Sequence, residues 1–210
     1  TSGAATDWVM RSYFGRINLS WADKYLFEGN IRRDGSSRFH KNHRWGTFPS
    51  FSLGWRISEE NFLKSVKWIN MMKLRFSWGA LGNNAVDNYE YQSVYNKDNY
   101  ILGNAVMQGL AQTQLANAMV SWETTYVTNI GLDFNLFGSK LDGTIDVFNK
   151  DTRDILIDLP APLLVGNASI PTQNAARVRN KGIEMNLKWN HKIGKVDYFV
   201  GGNFTFIDNE

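Results

Sequence analysis

Side chains able to do chemistry gather at a few points of this sequence. His40 and His43 stand three apart, but no third ligand falls in register to complete a metal site. Glu59 and Glu60 are adjacent acids, and sequence neighbours do not face one another across a reacting bond. They read instead as acids at the start of a short helix or turn over 61–70, with Ser58 as its cap. Asp142 and Asp146 share a strand face at about 13 Å by strand rise, too far apart for the paired carboxylates of glycoside hydrolysis. No nucleophile–base pair, phosphate loop or nucleotide fingerprint occurs, so the reading is not an enzyme and needs no cofactor.

Binding chemistry is better represented. Trp45, Asn83, Asn84, Tyr89, Tyr91, Tyr95 and Tyr100 combine flat apolar rings with amide donors and acceptors. That set suits stacking on sugar rings and hydrogen bonding along a peptide backbone equally well. Arg32, Arg33, Arg38, Lys41 and Arg44, with His40 and His43, form a basic loop. It reads either as an anion-binding surface or as a solvated loop; the net charge of +3 is mild, and nucleic acid is not an expected partner.

The elements that must position these residues are strands. From Pro49 the chain alternates Pro49, Phe51, Leu53, Trp55 against Ser50, Ser52, Gly54, Arg56. The same period of two runs through Tyr13–Trp21, Tyr25–Arg32, 73–83, 122–137, 141–150, 181–190 and 196–206. About eight antiparallel strands follow, joined by short turns at 22–24, 138–140 and 191–195 and by long loops at 33–47, 80–121 and 151–177. Within 84–120 only one short strand, near Tyr89–Val94, is expected. Long and short connections alternate, so one end of an up-and-down meander carries all the long loops. Transmembrane barrels sort their loops this way.

Composition agrees with a barrel wall. Nothing approaches the roughly 18–20 apolar residues of a membrane-spanning helix, yet 13 Phe, 8 Tyr and 8 Trp are present. Arg16, Glu28, Arg32, Arg56, Arg75, Glu123, Asp133, Asp142, Asp146, Glu184 and Lys188 occupy the polar faces, where a soluble barrel needs apolar filling. Trp21, Tyr25, Trp55, Phe137 and Trp189 near the short turns, and Trp45, Phe48, Trp78 and Trp122 near the long loops, suit two interfacial girdles. With no cysteine there is neither a disulfide framework nor a thiolate metal site. Three glycosylation-like triplets, at Asn18, Asn167 and Asn203, are accounted for by chance. A half-exposed soluble sheet with a covering partner is the competing reading of the pattern.

Five stretches, RRDGSSRF (32–39), FPSFSLGWRISEENF (48–62), KLRFSWGALGN (73–83), WETTYVTNIGLDFNLF (122–137) and VRNKGIEMNLKW (178–189), resemble SusC/RagA-type TonB-dependent transporters of the Bacteroidetes outer membrane. DGSSRF followed by FPS and a Gly-Trp-Arg strand is the most specific part. Trp78 and Ala175-Ala176 depart from the family pattern. The resemblance implies an all-β antiparallel arc of a barrel of about 22 strands, with residues 1–210 as a partial barrel domain and the plug and closing strands elsewhere. It further implies import of oligosaccharides or peptides, a SusD-like surface lipoprotein, TonB contacted through other regions, and lipopolysaccharide beside the basic loop. It leaves open a dimer of transporter–lipoprotein pairs. A non-transporting adhesion barrel and a soluble carbohydrate-binding β-domain are the alternatives.

Overall fold

The computed structural model describes residues 5–166 and 168–210, and Asn167 with its glycosylation-like triplet lies outside them. Among the described residues ten strands are present: β1 (Met10–Trp21), β2 (Tyr25–Ser36), β3 (Trp45–Arg56), β4 (Ile69–Asn83), β5 (Val94–Leu102), β6 (Ala105–Gln114), β7 (Glu123–Leu136), β8 (Leu141–Ile157), β9 (Gln173–Ile193) and β10 (Val196–Asn209). Eight form one antiparallel sheet in the order β1-β2-β3-β4-β7-β8-β9-β10, and β5-β6 is a separate hairpin. The meander and its sorted connections are as the sequence predicts.

Register makes the two faces continuous. Tyr25 pairs with Trp55, Phe27 with Leu53, and Leu53 with Phe76. Phe76 then pairs with Ile130, Ile130 with Val147, and Val147 with Ile183. One face is therefore an apolar band. The opposite face carries Glu28 beside Ser52, Ser52 beside Ser77, and Asp146 beside Glu184. Aromatics stack at the short-turn end, Trp21 on Tyr25 at 5.4 Å and Tyr25 on Trp55 at 6.5 Å.

The sheet has no core in the ordinary sense. Its exposed surface is 14596 Å², against roughly 9,900 Å² for a soluble monomer of this mass, because both faces lie bare. The buried apolar side chains Phe39, Phe48, Ala80, Val86, Val120 and Trp122 form one cluster under the long loops. There the β3–β4 ladder stops at Ser50 opposite Gly79, while β3 runs on to Trp45 paired with β2 alone. The Phe48 ring fills the cleft between Gly46 and Gly82, where a Cβ at either glycine would collide with it. Trp122 packs edge-on to Phe48 at 5.3 Å and donates its indole N–H to the Arg44 carbonyl at 3.0 Å. Of the expected upper girdle, Trp45 and Trp78 keep strand parity with the apolar band, whereas Phe48 and Trp122 turn into this cluster.

Three sequence expectations are corrected. Of the helix or turn expected over 61–70 the structure has the turn, preceded by a 3₁₀ turn at Ile57–Glu59, and Ser58 is not a cap: no side chain caps that start. Phe62, within that turn, is 65% exposed. The strand near Tyr89–Val94 is a turn, and the strands in that loop are β5 and β6. The long loops contract to 37–44 and 158–172, because β2, β8 and β9 run past the apolar band as plain ladders whose pairing needs no alternation.

Candidate functional site

The polar face holds a groove that the sheet itself walls. Of about 700 Å³, it opens beneath the long loops and is lined by Phe14, Arg16, Asn30, Arg32, Ser50 and Trp122, among others. Arg16 donates Nε to the Asn30 amide oxygen at 2.7 Å, and Asn30 in turn donates to Glu28 at 2.9 Å. Arg32 is bonded to Asp34 at 2.7 Å, a carboxylate almost wholly buried under the loops. These contacts use the Nε of each guanidinium, and Arg16 Nη2 lies 3.7 Å from the Glu28 carboxylate. Phe14, paired in register with Arg32, is 84% exposed on this otherwise polar face. A bare ring flanked by two arginines is a platform for stacking with hydrogen-bond donors on either side.

Deeper along the same face Arg75 of β4 bonds Asp133 of β7 at 2.8 Å and Asp146 of β8 at 3.0 Å. Asn129 adds a bond to Asp146 at 2.8 Å. Asp142 and Asp146 thus serve as ladder partners of inward donors, Asp142 receiving the amides of Asn135 and Asn190. At the short-turn end Glu60 accepts from Tyr25 at 2.7 Å, Lys24 at 3.0 Å and Trp55 at 3.1 Å. Those bonds, Tyr25's first, hold its carboxyl well below the usual 4.5, at about 2. Among the described residues no group of three or more His, Asp or Glu side chains is arranged to hold a metal.

The structure separates the residues expected to contact substrate. Trp45 stands with the apolar face, stacked on Tyr13 at 5.9 Å, over Gly35 and under the Arg33 guanidinium at 5.3 Å. Its parity with Pro49 and Phe51 puts it on the face opposite the groove. Asn83 bonds Glu123 at 3.3 Å, and Asn84 bonds Ser36 at 3.1 Å. Tyr89 is tied to Asp7, and Tyr91 lies edge-on to His40. Tyr95 and Tyr100 stand exposed on β5. Of this set only Asn84 reaches the groove.

The basic loop divides likewise. Arg32 faces inward and Arg33 outward, on alternate positions of β2. Arg38 is occupied by Asn88 at 3.2 Å and the Trp8 ring at 4.8 Å. Lys41 is exposed, and Arg44 lends its carbonyl to Trp122. Sequence reading passed over Phe14 and Arg16 as groove residues. The signal was present: Phe14 is an aromatic at a polar-face position in the series Ser12, Phe14, Arg16, Asn18.

Residues 2–210 match the family described as TonB dependent receptor-like, beta-barrel. The chain is 37% identical over 211 residues to TonB-dependent receptor P39 of Formosa agariphila, covering 100% of this chain and 20% of that protein. It is 37% identical over 212 residues to TonB-dependent receptor SusC of Bacteroides thetaiotaomicron, covering 98% of this chain and 21% of that protein. The solved RagAB peptide importer in its closed-closed state is similar at a TM-score of 0.85 and 29% identity, over 96% of this chain and 22% of that one. The siderophore receptor PirA of Pseudomonas aeruginosa shares the fold at a TM-score of 0.60 and 12% identity, over 94% of this chain and 34% of that one. The chain spans about a fifth of the length of the curated relatives it matches. The match, the two-faced antiparallel wall and the sorted loops agree: the chain belongs to the TonB-dependent receptor-like β-barrel family, of SusC/RagA type, as a piece of the barrel wall.

Proposed function

We propose that this chain is wall and substrate chamber of an outer-membrane importer of short polar polymers, oligosaccharides or peptides, driven through TonB. The observation that carries this reading is the groove beneath the long loops, where Phe14, Arg16, Asn30, Arg32 and Ser50 present a stacking surface among hydrogen-bond donors. In the whole protein, a barrel of about 22 strands, that face looks into the lumen. Energy coupling belongs to regions beyond this segment.

A SusD-like lipoprotein is the proposed partner at the long-loop end, with two such transporter–lipoprotein pairs assembled side by side. The β5–β6 hairpin supports a partner there. It offers Ile101, Leu102, Val106, Met107 and Leu110 to solvent, each more than half exposed. Lipid surrounds the apolar face, with lipopolysaccharide in its outer leaflet.

The test is uptake and binding by the full-length transporter, assayed against a peptide panel and an oligosaccharide panel. Phe14→Ala with Arg16→Gln is expected to weaken binding about tenfold or more, while Trp45→Ala stays within about twofold. The reverse ranking removes the groove from the chamber.

A further inference from the structure

The outward half of the basic cluster has a geometry of its own. We propose that Arg11 and Arg33, backed by Tyr13 and Trp45, bind the phosphate of an outer-leaflet glycolipid headgroup of lipid A type. This rests on the outer-membrane reading above but not on the transported substrate.

Parity puts all four residues on one face. Tyr13 pairs with Arg33, Arg11 with Gly35, and Gly35 with Trp45. These are the odd positions that continue into Ile17, Leu19 and Trp21 on β1 and into Ile31 and Phe27 on β2. Arg11 and Arg33 are diagonal neighbours on β1 and β2, about 7–8 Å apart, a spacing that two long side chains close around one phosphate.

Height places them at the headgroups. Arg11 stands ten positions from Trp21 on β1, about 33 Å along the strand. At the usual tilt near 40° that is about 25 Å along the membrane normal, the thickness of a barrel's apolar band. Trp21, Tyr25 and Trp55 mark the lower boundary, and Tyr13 with Trp45 marks the upper one.

Availability distinguishes this pair from other arginines at the same end. Arg32 is held by Asp34, and Arg153 and Arg177 both bond Asp151 at 2.7 Å. Among the described residues, Arg11 and Arg33 have no carboxylate within ion-pair distance, and both are exposed. Arg33 does rest on the Trp45 ring, which fixes the guanidinium plane while leaving its edges free to take a bidentate phosphate. Unneutralised cations at the rim of an apolar band fit an anionic headgroup whose acyl chains lie along Ile17, Leu19 and Ile31.

The experiment uses the full-length transporter, delipidated in detergent. Binding of phosphorylated lipid A is measured by native mass spectrometry beside the same lipid after enzymatic removal of its phosphates. The wild type is expected to hold the phosphorylated form at least about tenfold more tightly, and Arg11→Gln with Arg33→Gln to abolish that preference. Arg32→Gln, on the opposite face, is expected to leave it intact. Equal retention of both lipids by the wild type overturns the proposal without recourse to any variant, as does an unchanged preference in the folded double variant. Full displacement of the lipid by millimolar inorganic phosphate also overturns it, assigning the pair to free anions.

Discussion

The Arg75 guanidinium crosses the backbone of β7 at Gly131 to reach the Asp146 carboxylate on β8, 3.0 Å away. The crossing exists because residue 131 has no side chain: a Cβ there would collide with both the Asp146 oxygen and the Arg75 guanidinium. One arginine thereby ties three neighbouring strands on the inward face, with Asp133 as its second partner.

A double-mutant cycle measures that tie. Arg75→Met and Asp146→Asn should couple by about 1 kcal/mol, the scale of a partly solvated pair within a network. Gly131→Val, which removes neither charge but blocks the crossing, should reproduce most of the Arg75→Met loss. Denaturant unfolding of the full-length barrel in detergent gives all three values, and additive single effects would contradict the tie.

Phe48 offers a packing test. Its ring is buried between Gly46, Gly82 and Trp122 where the β3–β4 ladder has stopped, so it substitutes for missing backbone pairing. Phe48→Ala should cost about 3–5 kcal/mol and accelerate amide exchange first in Trp45–Phe48. Exchange unchanged there would show that the ring does not close the cleft.

Acid should act at the short-turn end through Glu60. Its folded-state carboxyl titrates at about 2 against the usual 4.5. A depressed carboxylate stabilises the fold above its unfolded pKa, and the contribution fades as pH falls from about 4.5 towards about 2. The gap in thermal midpoint between wild type and Glu60→Gln should therefore hold steady above pH 5 and narrow below it. A gap independent of pH from 7 to 3 would contradict the assignment.

The turn between β1 and β2 carries removable strain. Ala22 and Asp23 both adopt positive φ, 52° and 53°, the primed-turn geometry that favours Asn and Gly. Ala22→Asn should raise stability by about 0.5–1 kcal/mol, read as a higher denaturation midpoint at unchanged slope.

Thr172 joins two loops. Its backbone N–H donates to Glu90 at 2.8 Å, and its hydroxyl donates to Asp158 at 2.6 Å. Thr172→Val removes the hydroxyl from between two carboxylates, and limited proteolysis should then cut 84–93 and 158–172 sooner. Unaltered cleavage would mean that the loops are held elsewhere, for instance by the Gln114–Ser169 bridge.

Strand position and facing were legible from period-two alternation because the apolar band enforces it. The 122–137 stretch appears as β7, Glu123–Leu136, and the turns at 22–24 and 138–140 fall where Gly, Asp and Ser mark them. Alternation is not required where strands rise above the band, so the upper parts of β8 and β9 and the whole β5–β6 hairpin were read as loop. The site was less legible for a different reason. Trp45 was named by residue type, and its parity with Phe51 and Trp55 puts it on the apolar face. Phe14 and Arg16 were visible as a polar-face series, but their convergence on Asn30 and Arg32 depends on register between β1 and β2, which spacing alone does not fix.

The two-faced register also limits how this wall can change over generations. A single-residue deletion at the start of β7 would turn Asn129 and Asp133 toward the apolar face and carry Ile130 and Leu132 to the polar one, whereas a deletion of two would restore every facing. Length variation among descendants of this segment should therefore accumulate at 37–44, 84–122 and 158–172, and inside the band arrive only in even steps. The long loops are free to drift; the lattice beneath them inherits its spacing as a frame.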